Sequence, residues 1–286
     1  MEHSLQFSFA GVGVRLVSSR PLSVSPGLLR FLAPPCAGVT ISVRPLQEGF
    51  PPAGASPCGD DMHFCYYRWG DRFCAVAKPG RDGSVSTAVF TDDFSEATLY
   101  TNDVCFPNAV TTADKALALF PLRQILLRYG AVTLHSSRIY TQGRAIVFSA
   151  PSQTGKTTQA GLWQRYAGAE IVSNDRSLLR QEDGALYTYG FPIDGSSPVY
   201  HNGRIPLGAV VMLAQGAENQ VERLRPMEAV RCLMGQTAML PLSPPGQLAQ
   251  FWLTLTEGYP VYRLTCRPDA QAVACLKDRL NRDGVI

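Results

Sequence analysis

The sequence predicts a mixed α/β fold, an α+β arrangement in which a β-rich first part, residues 1–110, precedes an α/β unit over residues 111–286. Three observations carry this reading. Short β-branched and aromatic runs divided by Gly and Pro fill the first part. Helical periodicity first appears after residue 113, and from residue 131 the order runs strand, turn, strand, loop, helix, strand, the pattern of an α/β unit. A chain of 286 residues suits two modest domains at about 150 residues each.

In chain order, LQFSFAGVGVRLVS alternates partly at period two, GVTISV is β-branched, and FCYYRW and RFCAVAK continue the strand habit. The intervening GFPPAGASPCGDDM, residues 49–62, has three prolines, three glycines and no helical period, and reads as a loop. A helix is expected from Asp114, as N-cap, to Arg128, with Leu117, Phe120, Leu122, Ile125 and Leu126 on its apolar face and Gly130 ending it. There follow strand 131–137, a turn at Thr141 to Arg144, strand 145–150, a loop, a helix from Lys156 to about Tyr166, strand 169–173 and strand SLLRQ.

Composition removes several classes of function. Apolar residues make up 45% and charged residues only 17%, which excludes global disorder. The net charge of +3 is no nucleic-acid footprint. It divides unevenly: residues 1–110 carry 8 basic and 10 acidic side chains, residues 111–286 carry 18 and 13. The longest uncharged stretch, Cys232 to Thr256, is broken by Pro241, Pro244 and Pro245, so no bilayer-spanning helix is readable. Glu2 stands where a secretory leader favours Lys or Arg, and a cytoplasmic protein is expected. The eight cysteines form no C-x-x-C pair and read as free thiols; Cys58, His63, Cys65 and Cys74 have zinc-binding residue types, but their spacing fits no common zinc framework.

The chemistry concentrates where the chain has one of its only four lysines. Ala150-Pro151-Ser152-Gln153-Thr154-Gly155-Lys156-Thr157-Thr158 follows an apolar strand and opens a helix, the context in which G-x-x-x-x-G-K-[ST] forms a phosphate cradle. Backbone N–H groups of such a loop converge on one point, assisted by the helix dipole. Lys156 is expected to reach the β and γ phosphates, Thr157 to ligate Mg²⁺, and Thr158 to touch a more distal phosphate. The match is relaxed: Ala150 replaces the first glycine, and Gln153 stands where many such loops have a second, which is awkward if φ there is positive.

Nineteen residues beyond Lys156, a strand ends in Asn174-Asp175-Arg176. A carboxylate at the carboxyl end of a strand beside a phosphate loop is placed for a second Mg²⁺ contact or as a base for the acceptor hydroxyl, and Asp175 is the candidate. His135, on the strand just upstream, is brought near the loop by the expected hairpin, although a lone strand histidine is more often a satisfied core residue. Gly190 to Ser197 reads as a loop over the substrate or a hairpin end, and Arg176 and Arg204 as phosphate clamps or surface residues.

Over about residues 131–200, LHSSRIYTQGRAIVFSAPSQTGKTTQAGLW and AEIVSNDRSLLR resemble the kinase core of the HPr kinase/phosphorylase family, itself related to ATP-dependent phosphoenolpyruvate carboxykinase. The resemblance implies a P-loop core using ATP and Mg²⁺. It sets His135 on the family's histidine near the γ-phosphate, Ser152, Gly155, Lys156 and Thr157 on its loop, and Asp175 and Arg176 on the last two residues of its Asp-Asp-Arg motif. Asn174 stands at the first Asp, the family's proton acceptor and donor. That departure leaves Asp175 to do double duty, Asp194 to act as base, or transfer to be slow.

The resulting expectation is an ATP- and Mg²⁺-dependent kinase of a Ser or Thr hydroxyl on a small protein or peptide. Its catalytic residues are His135, Lys156 and Asp175, its nucleotide is held by residues Ser152, Gln153, Thr154, Gly155, Lys156, Thr157 and Thr158, and its metal by Thr157 and Asp175. The alternative is a non-catalytic nucleotide-binding module. A carboxykinase is disfavoured, because a free dicarboxylate requires an Arg and Lys cluster that the sequence does not offer.

Overall fold

The computed structural model describes residues 2–46, 51–78, 86–102, 110–193, 201–238 and 240–286. The chain is mixed α/β and divides into two compact units, residues 1–130 with 239–243, and residues 131–238 with 244–286. The division thus follows Gly130 rather than residue 110, because the helices between these points pack with the first unit.

The first unit is an eight-stranded sheet in the order β1-β2-β3-β8-β7-β6-β5-β4. Its strands are β1 (His3–Phe9), β2 (Val12–Ser18), β3 (Gly38–Pro45), β4 (Ser56–Asp60), β5 (Phe64–Trp69), β6 (Arg72–Ala77), β7 (Ser86–Thr91) and β8 (Glu96–Thr101). β2, β3 and β8 run parallel, and the remaining pairs are antiparallel. Strand β4 lies inside the segment read as loop. Its Pro57 is tolerated because β4 is an edge strand, with a bulge between Pro57 and Gly59. Among the described residues the unit also holds three helices, α1 (Pro26–Leu29), α2 (Ala113–Ala118) and α3 (Leu122–Arg128).

The single helix expected over 114–128 is two. Pro121, at the start of α3, lacks an N–H and its ring blocks the preceding turn, so the chain cannot continue through it. Thr112, not Asp114, caps α2 by accepting from the Lys115 N–H, while Asp114 accepts from the Ser25 N–H at 3.0 Å. The buried faces of α2 and α3 still carry Leu117, Leu122, Ile125 and Leu126.

The second unit contains β9 (Ala131–Thr141), β10 (Arg144–Ser149), α4 (Lys156–Ala167), β11 (Glu170–Ser173), β12 (Arg176–Glu182), β13 (Ala185–Gly190), β14 (Ile205–Gln215), β15 (Gln220–Arg223), α5 (Pro226–Met234), α6 (Gln247–Gly258), β16 (Val261–Cys266) and α7 (Ala270–Arg282). Its sheet order is β10-β9-β12-β13-β14-β16-β15, and an additional pairing of β10 with β14 closes β10, β9, β12, β13 and β14 into a ring. β10, β14 and β16 are mutually parallel neighbours, so their carboxyl ends form one rim. On one face Ile139, Ile146, Phe148, Val211 and Leu264 pack with Trp163 of α4 and Leu276 of α7.

Strand β9 also carries the fully buried Arg138. Its guanidinium donates to Thr188 Oγ1 at 2.9 Å and to the His201 carbonyl at 3.3 Å, and burial pushes its pKa down to about 9. Ser136 and Ser177 are joined by a hydroxyl hydrogen bond of 3.0 Å. Among the described residues no helix is long and apolar enough to cross a membrane, and the seven described cysteines are free thiols.

Candidate functional site

The site begins where β10 ends. Ala150 is buried, the chain turns through Pro151 to Gly155, and α4 starts at Lys156. Two residues in the turn have left-handed backbone, Gln153 at φ +65° and Gly155 at φ +110°. The first confirms the awkwardness foreseen for a non-glycine there, since an L side chain in this region costs roughly 1–2 kcal/mol. Thr154 steadies the turn by donating its hydroxyl to the Pro151 carbonyl at 2.9 Å.

α4 has no side-chain N-cap and no acidic residue in its first turn, so neither screens the positive end of its dipole. At its other end Gly168, also left-handed, closes the helix. Ser152, Gln153, Thr157 and Thr158 are exposed on the loop and first turn, with Thr154 and Gly155 half-buried. Gly155→Ala tests the turn: nothing lies within 4 Å of a Cβ added there, so its cost is torsional alone. We expect an intact fold and anion affinity lowered about 5- to 100-fold, the equivalent of roughly 1–3 kcal/mol of loop strain; equal affinity by calorimetry excludes a requirement for this backbone geometry.

Lys156 is only 7% exposed. Its ammonium donates to the carbonyls of Ala150 at 2.9 Å and Pro151 at 3.1 Å, the two residues that begin the loop. Burial lowers its pKa from the usual lysine value, and the nearby negative charge of Asp175 acts in the opposite sense. Lysine and acid, nineteen positions apart in the chain, are therefore electrostatic neighbours.

Asp175 sits in the turn between β11 and β12. Its carbonyl accepts the Ser136 N–H at 3.0 Å, which ties the turn to β9. His135 and Asp175 meet with Nδ1 and Oδ1 3.9 Å apart, an ion-pair separation longer than a hydrogen bond. His135 is opposite Arg176 in the β9–β12 register, and its carbonyl accepts the Ser149 hydroxyl at the last residue of β10. The fold thus brings His135 to Asp175, and leaves Lys156, at the end of the loop bearing Ser152 to Gly155, within the electrostatic reach of that carboxylate.

The neighbouring polar groups divide clearly. The Asn174 carbonyl accepts from Ser137 Oγ at 3.1 Å, while its side-chain Oδ1 is buried without a hydrogen-bond partner among the described residues. Arg204 is not gathered into the group: it pairs with Glu182 at 3.3 Å and lies over the Tyr187 ring, at the end of the β12–β13 hairpin remote from Arg176. Asp194, with the rest of 194–197, lies outside the described residues. Sequence reasoning missed Gln159, buried one helical turn past Gly155, and the cleft that it lines with residues from the ends of β14 and β16. A polar side chain on the core-facing side of α4 was the available signal.

Fold and site define a mixed α/β chain in which a strand–loop–helix turn buries a lysine against its own first carbonyls, and a histidine and an aspartate approach each other at the neighbouring strands. No family model matches the chain, and no curated protein matches it. Among solved structures it is similar to the HPr(Ser) kinase/phosphatase from Coxiella burnetii, with 13% identity, a TM-score of 0.29, and coverage of 53% of this chain and 95% of that one.

Proposed function

We propose that this chain is an ATP- and Mg²⁺-dependent phosphotransferase acting on a Ser or Thr hydroxyl of a small protein or peptide. The observation that carries the reading is the 3.9 Å approach of Asp175 to His135 beside the loop that opens α4, with Lys156 within electrostatic reach of the same carboxylate. A buried lysine, an uncapped helix start and a carboxylate with an imidazole are the groups that phosphoryl transfer asks a protein to position.

The residues suit Mg²⁺ as this ion is usually held. It takes one or two protein oxygens and completes its shell with water and phosphate, and among the described residues no cluster of three or more His, Cys, Asp or Glu offers a complete cage. Thr157 Oγ and an Asp175 carboxylate oxygen would hold it, and when bound it would neutralise phosphate charge. Lys156 exchanges its two carbonyl partners for phosphate oxygens, and the loop N–H groups bind the remaining oxygens. His135, its Nδ1 turned towards Asp175, takes the acceptor hydroxyl proton on Nε2 as the oxygen–phosphorus bond forms and ADP leaves. A loose transition state needs little from a base, which makes the neutral Asn174 tolerable.

Asp175→Asn tests these roles. ATP binding should persist within about 10-fold, while transfer of labelled γ-phosphate to acceptor peptides should fall at least about 100-fold, the scale of a lost general-base or metal contact. Full transfer by the variant rejects the assignment. Asn174, with its uncharged carboxamide, favours a second reading, a nucleotide-binding module without transfer that senses ATP or presents a peptide. ATP binding by the unaltered protein with neither transfer nor hydrolysis is the result that selects it.

A further inference from the structure

Beside the phosphate loop lies a cleft of about 390 Å³, within the size range of small-ligand pockets. One wall is the loop and first turn of α4, including Gly155 and Thr158. The other is the rim where β14 and β16 end, with Leu213, Ala214 and Pro268. Because β10, β14 and β16 are parallel, the cleft lies at the carboxyl ends of adjacent strands, where open α/β sheets receive ligands.

Gln159, 3% exposed, lines this cleft, and its Nε2 is buried without a hydrogen-bond partner among the described residues. A buried amide donor left unmatched is destabilising, so it points to an acceptor supplied by a ligand. Arg267, at the same cleft, is held in orientation by Asp269 at 3.1 Å and Gln271 at 3.2 Å. A guanidinium fixed in this way is suited to stacking on a flat ring.

We propose that this cleft binds the purine base of the nucleotide and that Gln159 recognises its edge. The inference rests on the phosphate-loop reading above and adds to it a base-binding subsite. Apolar side chains suit the ring faces, a single inward amide suits a ring nitrogen acceptor, and the Gln carboxamide can satisfy the donor–acceptor edge of adenine at N6 and N7. A bare polyphosphate would satisfy the loop and leave Gln159 without an acceptor.

Calorimetric titration of the full chain with ATP and with inorganic tripolyphosphate separates the two ideas. The unaltered protein should bind ATP at least about 10-fold more tightly, and Gln159→Leu should erase about 10-fold of ATP affinity while leaving tripolyphosphate within about twofold. Ala214→Trp, filling the cleft from the opposite wall, should have the same selective effect, and retained tripolyphosphate binding reports a folded loop in either variant. Equal affinities for ATP and tripolyphosphate in the unaltered protein, or equal weakening of both by Gln159→Leu, overturn the base site while leaving the phosphate loop standing. Failure of the unaltered protein to bind either compound overturns the phosphate-loop reading and the base site with it.

Discussion

Lys156→Ala should weaken ATP binding at least about 100-fold. A lysine on polyphosphate makes charge-assisted hydrogen bonds worth roughly 1.5–3 kcal/mol each, and two such contacts alone reach that factor. The same substitution should leave thermal stability nearly unchanged, because the fold loses two ammonium-to-carbonyl hydrogen bonds but also the burden of a buried cation. Calorimetry and a melting curve on one preparation check both halves. An unaltered dissociation constant means that Lys156 is only a strut between loop and strand, and the phosphotransferase proposal then fails.

The largest expected loss of stability is at Trp163. Fully buried on α4, it packs against Phe148 with ring centroids 6.3 Å apart and lies in the cluster that joins α4 to the sheet and α7. Trp163→Ala should cost about 3–5 kcal/mol through lost burial and the cavity left behind. Trp163→Phe should cost less than half of that, since it keeps an aromatic ring and removes an indole N–H that is buried without a partner among the described residues. Urea denaturation followed by circular dichroism distinguishes these outcomes. Similar costs for both variants mean that the indole nitrogen has a stabilising role the contacts do not reveal.

What the chain disclosed in advance follows the range of the interactions. Strand β9, the turn at Gln142 and Gly143, β10, α4 and β11 were legible because hydrophobic period and turn chemistry are written within a few residues. The break at Pro121 was legible in principle and was overridden by an apolar face that continues across it. Strand β4 was hidden because Pro57 and Gly59 argue against a strand, and only its place at the sheet edge makes them acceptable.

The site divides in the same way. Lys156 and its loop were visible as a local pattern, and Gln153 was correctly marked as the position where positive φ would be a strain. The nearness of His135 and Asp175 follows from register between β9 and β12, which the hairpin reading only approached. The cleft was out of reach, because its walls join α4 to residues 213–216 and 266–268 through parallel pairings that leave no local mark in sequence. Likewise, nothing in β10 or β14 alone announces that they pair with each other.

That pairing also sets a timetable for the molecule. β10 acquires its parallel neighbour β14 only once residues 207–212 exist, and the parallel partner of β14 on its other side, β16, is later still. During synthesis, at about 5–20 residues per second, the lysine loop therefore emerges from the ribosome seconds before the shelf that completes it. Contacts so distant along the chain are slow to close, and the half-made segment must wait with its apolar side uncovered. The turn at residues 151–155 is thus among the earlier pieces of its unit to be made and among the last to be finished.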